Sequence, residues 1–87
     1  MFEIKYQRQA LKDLKKLQKN QKLLLKLREI LDDIKKNPYS SDFRMEKLKG
    51  NFENHFSKRL DRENRVIYQI SDRAIIVIVI SFLGHYD

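Results

Sequence analysis

Residues 55–70 read HFSKRLDRENRVIYQI, and this stretch decides what the chain can build. Two runs rich in β-favouring residues, HFSKRL (55–60) and RVIYQI (65–70), flank the polar turn Asp61-Arg62-Glu63-Asn64. Pairing Arg59 with Arg65 across that turn sets Lys58 opposite Val66 and Phe56 opposite Tyr68. Side chains alternate along a strand. Phe56, Leu60, Val66, Tyr68 and Ile70 therefore share one face, and Ser57, Arg59, Arg65, Ile67 and Gln69 share the other. The first face is apolar and needs a cover.

Working outward, AIIVIVI (74–80) is a continuous apolar run, expected to be a central strand covered on both faces. On the other side, Phe43–Leu48 is expected to be a strand ended by Gly50-Asn51. Before Pro38 the period changes from two to about 3.6. Leu23, Leu24, Leu27, Ile30, Leu31 and Ile34 form one helical stripe, closed by Lys35-Lys36 and stopped by Asn37-Pro38. Ala10, Leu11, Leu14 and Leu17 form an earlier stripe, and Asn20 is expected to be a C-cap or turn. At the start, MFEIKY alternates as a short strand. The order β-α-α-β-β-β-β argues an α+β class, with a helical hairpin on one face of a mostly antiparallel twisted sheet. At 87 residues this is one domain, 1–87.

Lys and Arg number 19 against 12 Asp and Glu, a net charge of +7. That balance favours a polyanionic partner. With no cysteine and two histidines, disulfides and a thiolate metal site are excluded, and a structural zinc is not expected. The absence of cysteine fits a reducing cytosol. No secretory signal opens the chain. The longest apolar run falls far short of the ~20 residues of a membrane helix. The lysine-rich helices could lie on a membrane surface, but each has a sheet on which to bury its leucines, so no membrane partner is expected.

Arg59 and Arg65, side by side on an open sheet face, repel each other unless an anion visits. A phosphate matches the guanidinium fork. The alternative is pairing with Glu63, Asp61 or Asp72. Glu46 shares a face with Leu48 and is flanked by Lys47 and Lys49. His55 reads as structural, and Asp32 and Asp33 point apart on their helix. His85 and Tyr86 come after the last strand. A carboxylate, two arginines, a histidine and a tyrosine suffice for metal-free RNA cleavage. The carboxylate takes the proton from a ribose 2′-OH and arginine holds the charge that develops. Histidine, with a reference pKa near ~6.5, protonates the leaving 5′-oxygen.

MEKLKGNFENHFSKRLDRENRVIYQI (45–70) with GHYD (84–87) resembles the YoeB/Txe toxins within the RelE/ParE toxin superfamily. The elements E-x-L-K, S-K-R-L, N-R-V-I-Y and H-Y occur in order, and the likeness spans nearly the whole chain. The resemblance implies a RelE-like fold and a cytoplasmic, ribosome-dependent mRNA endonuclease acting in the A site of the 70S ribosome without a cofactor. It implies inhibition by a YefM/Axe-type antitoxin with an acidic, disordered tail, and admits a homodimer. Carried over by motif, Glu46 is the general base and His85 the general acid. Arg65 stabilises the scissile phosphate and Tyr86 shapes the site or stacks on a base. Lys49 and Arg59 hold RNA. Gly84 and Phe56 stand where relatives carry tyrosine and tryptophan, and Asp87 extends the chain past Tyr86. Three rivals stand beside this reading. A ParE-like toxin would bind gyrase, a RelE-like nuclease would use Lys, Arg and Tyr, and a basic RNA-binding module would not catalyse at all.

Overall fold

A computed structural model describes residues 2–50, 54–71 and 76–82. The chain runs β1 (Glu3–Tyr6), α1 (Arg8–Leu17), α2 (Gln21–Lys36), β2 (Glu46–Lys47), β3 (His55–Arg59), β4 (Arg65–Ile70) and β5 (Ile76–Ser81). This is the α+β order expected. One five-stranded sheet has the order β1-β5-β4-β3-β2. All its pairs are antiparallel except β1 with β5, which runs parallel in the register Glu3↔Ile76 to Tyr6↔Val79.

The β3–β4 hairpin has the expected register: Arg59↔Arg65, Lys58↔Val66, Phe56↔Tyr68. The turn is set by Asp61, whose Oδ1 accepts from the amides of Glu63 and Asn64 at 2.9 and 2.7 Å. Between β4 and β5 the register shifts, from Ile67↔Ser81 to Tyr68↔Val79, leaving one extra residue on β5. Such a bulge bends its strand and re-aims the side chains beyond it.

The helices cover one face. Ala10, Leu17, Leu27, Ile30 and Ile34 pack with Phe56, Leu60, Val66, Tyr68, Ile70, Val79 and Phe82 into one buried cluster. Leu11, counted in the first stripe, is instead 50% exposed. The buried face of α1 holds Asp13 between Ala10 and Leu17; its carboxylate accepts from the Phe82 amide at 3.1 Å and from Gln9 Nε2 at 3.0 Å. Asn20 does not close α1 as expected. It opens α2, its side chain accepting from the Leu23 amide at 3.2 Å. A short carbonyl side chain satisfies one of the free amides of a first helical turn.

The strand expected over Phe43–Leu48 shrinks to Glu46–Lys47. Phe43 and Arg44 have φ of 57° and 52°, a left-handed backbone that no extended strand contains. The Phe43 carbonyl still accepts from the Arg59 amide at 2.7 Å, so the turn is held against the end of β3.

Lys58 points to the helix side of the sheet and is fully buried. Its ammonium lies 3.0 Å from Asp33 Oδ2 and donates to the Ser40 carbonyl and Oγ and the Asp42 carbonyl at 2.9, 2.9 and 2.8 Å. Ser40 Oγ in turn donates to Asp33 Oδ2. A buried cation persists only with such a shell. Nearby, the Tyr68 hydroxyl donates to the Pro38 carbonyl at 2.8 Å. Burial, and after it the Asp33 charge, pushes that phenol well above its ordinary range.

Candidate functional site

The face of the sheet turned from the helices carries the candidate residues. Pairing sets Glu46 opposite Ser57, Ser57 opposite Ile67 and Ile67 opposite Ser81, a row crossing four strands. Glu46, Ser57 and Ile67 thus point to the same side, as do Arg59 and Arg65 one step along the hairpin. His55, read as structural from sequence, shares that side by parity. It is half-buried opposite Gln69.

Glu46 and Arg65 meet. Arg65 Nη1 lies 3.9 Å from Glu46 Oε2, and the Arg65 and Glu46 side chains remain 39% and 61% exposed. A contact this long and this wet is weak, so an anion can compete for the guanidinium and a proton can reach the carboxylate. Arg59 is half-buried across the register from Arg65. Lys49 is exposed just after β2 and, with Lys47, Leu48, Gly50 and Asn54, lines an open groove. Gly50, at φ 81°, lets the chain turn there with nothing packed against its Cα. His85 and Tyr86 lie outside the described residues.

The expectation of an open sheet face holds only at its margin. Ser57 and Ile67 are 2% and 0% exposed, yet neither belongs to the helix-side core cluster. At Ser57 and Ile67 this face is dry, and among the described residues its charged candidates lie at the rim: Glu46, Arg65, Arg59 and Lys49. The pairings of the arginines with nearby acids considered from sequence are not what Asp61 does. Both its oxygens accept hydrogen bonds inside its own turn. Partial burial works against its charge. The bonds from the Asn64 side chain and the Glu63 and Asn64 amides together hold its carboxyl below the usual carboxylate range.

Two supports were missed from sequence. Lys58 anchors β3 from beneath, between Ser57 and Arg59. Its register opposite Val66 already turned it inward. Asp13 holds the amide of Phe82, directly after β5. Chemically, the rim offers a solvent-reached carboxylate beside a guanidinium, with two further cations at hand. That is a proton acceptor next to a stabiliser of anionic charge. Among the described residues no group of three or more His, Cys, Asp or Glu is arranged to hold a metal ion, and no helix is long and apolar enough to cross a membrane.

Known proteins share this architecture. A family model described as the YoeB-like toxin of bacterial type II toxin-antitoxin systems matches residues 6–86. A Toxin YoeB from Synechocystis is 32% identical over 70 residues, covering 80% of this chain and 79% of that protein. A YoeB from Staphylococcus aureus, solved in a heterotetrameric YoeB-YefM toxin-antitoxin complex, superposes with a TM-score of 0.82 at 31% identity over 99% of both chains. A YoeB dimer from Staphylococcus aureus has also been solved. A YoeB/ParE toxin from Agrobacterium tumefaciens, with a TM-score of 0.88 over 98% of this chain and 100% of that one, shares the fold at 22% identity.

Proposed function

This chain belongs to the YoeB-like toxins of bacterial type II toxin-antitoxin systems, and from that premise we propose that it is a metal-independent endoribonuclease that cuts mRNA in the ribosomal A site. Glu46 removes the proton of a ribose 2′-OH. The freed oxygen attacks the adjacent phosphorus, and Arg65 stabilises the charge gathering on the phosphoryl oxygens. Arg59 and Lys49 hold the strand on either side. His85 returns a proton to the departing 5′-oxygen, and Tyr86 shapes the site around the reacting nucleotide. The products are a 2′,3′-cyclic phosphate and a 5′-hydroxyl.

The observation that carries this reading is the exposed Glu46–Arg65 contact at 3.9 Å. It sets an acceptor for the 2′-OH proton beside a binder for the phosphate that oxygen attacks. The +7 charge suits an RNA-lined workplace. A YefM-type antitoxin with an acidic, disordered tail is the cognate inhibitor, and a homodimer is the free form, by analogy with the Staphylococcus aureus relatives. Programmed ribosomes test the activity. Purified chain treated with EDTA and then freed of it should cut mRNA within the A-site codon at the same rate as untreated chain. Intact mRNA alongside gyrase inhibition would replace this reading with a gyrase-directed toxin.

A further inference from the structure

A second cationic feature lies around the corner from Glu46 and Arg65. Lys26 of α2, Phe43 and Arg44 of the left-handed turn, and Arg59, Leu60, Asp61 and Arg62 at the hairpin tip line an open groove of about 350 Å³. Four of these residues are cationic and one is a carboxylate. Asp61 is already engaged by its own turn. Among the described residues none of the four cations makes an ion pair. Lys26 instead sits with its ammonium 4.8 Å from the centroid of the Phe43 ring, an arrangement that holds a cation in place without neutralising it. Arg44 and Arg62 are exposed.

Concentrating like charge this way raises the free energy of the empty chain, and a multivalent anion relieves it. The geometry also says which anion. Arg59 belongs to both places: it lines this groove and stands across the β3–β4 register from Arg65. A ligand lying over Arg65 and reaching Arg59 meets a residue that shares its groove with Lys26, Arg44 and Arg62. We propose that this groove is a flanking phosphate subsite, holding a backbone phosphate of the same RNA strand whose scissile phosphate lies at Arg65. The inference rests on the endoribonuclease reading for the position of that scissile phosphate. The subsite carries no base readout. It extends the grip along the strand and fixes which way the strand leaves the site.

The test uses the full chain and a short fluorescein-labelled single-stranded oligonucleotide made entirely of 2′-deoxynucleotides, which cannot undergo 2′-OH attack. Binding is measured against salt for the native chain, for Arg44→Gln/Arg62→Gln, and for Lys12→Gln on the outer face of α1 as a control. Each lost phosphate contact on a single strand lowers the slope of log K against log salt by about 0.7. Losing the one phosphate held there, the double variant should therefore show a slope smaller by about 0.7 and affinity about fourfold weaker near physiological salt. Lys12→Gln should match the native chain. Native slope and affinity in the double variant would overturn the subsite. So would loss of binding to a polyglutamate peptide with oligonucleotide binding intact, because the groove would then be a protein dock. Glu46→Gln separates the two ideas. It should bind the oligonucleotide at least as tightly as the native chain yet fail to cut mRNA on ribosomes. If the native chain leaves mRNA intact on ribosomes while the double variant loses its slope, the nuclease assignment falls and the phosphate groove stands.

Discussion

Arg65 reaches Glu46 at 3.9 Å while 39% of its side chain stays open to solvent, so it can exchange a weak internal contact for a strong one to phosphate. Arg65→Ala should lower single-turnover mRNA cleavage on ribosomes by roughly 10²–10³, the scale for losing one stabiliser of transition-state charge. Its circular dichroism should be native, because the side chain lies on the rim and outside the core. A native rate in a folded variant would remove Arg65 from the chemistry. At this scale much was legible in the sequence. The hairpin fixes its own register, and parity then places Arg59 and Arg65 on one side with no tertiary information, whereas Glu46 joins them only through the pairing of β2 with β3. Lys58 and Asp13 were not legible as buried charges. Apart from Gln9 on Asp13's own helix, the partners named above are the carbonyls of Ser40 and Asp42, the Asp33 carboxylate and the Phe82 amide, all distant in sequence, and spacing along one element cannot reveal them.

Between elements, Lys58 joins β3 to α2 and to the loop after it through four contacts of 3.0 Å or less. Lys58→Met leaves the Asp33 carboxylate without its cation and the Ser40 and Asp42 carbonyls without their Lys58 donor. Breaking a buried pair from one side costs about 3–5 kcal/mol. For a domain of this size, at about 4–8 °C per kcal/mol, the thermal midpoint should fall by roughly 12 °C or more. Lys58→Met/Asp33→Leu should recover part of that, and a single-variant shift of only a degree or two would mean the network is no more than a surface pair. Tyr68 gives the same contact region a pH signature. An unfolded phenol titrates near ~10, whereas burial and Asp33 hold Tyr68 well above that. The unfolded chain therefore loses this proton first. The contribution is whole below about pH 10 and is lost as pH rises beyond it. In urea melts at several pH values, Tyr68→Phe should be less stable than the native chain near neutrality, since the Pro38 carbonyl loses its donor, and should lose stability less steeply in alkali. The strand expected over Phe43–Leu48 failed at this scale too. Two left-handed residues turn the backbone so that Phe43 can bond the end of β3. Tertiary pairing overrode local β preference.

For the whole molecule, the +7 charge governs encounter. Association with an acidic antitoxin tail should slow markedly between low and high salt, because exposed charges are screened within about 8 Å at physiological ionic strength. A stopped-flow rate that hardly changes with salt would show that apolar contacts alone steer the pair. Fold class and element order were readable because hydrophobic period and proline placement are local signals. The parallel pairing of β1 with β5 was not, since nothing in either strand names its neighbour. That pairing sets a schedule for synthesis. Strand β1 emerges from the ribosome first, but its partner spans Ile76–Ser81, and Asp13 waits for the amide of Phe82. The first elements made cannot seat until almost everything downstream has been translated. Under the proposed attack on translating ribosomes, the chain would stay unfinished, and harmless, for nearly the whole time it is attached to the ribosome making it.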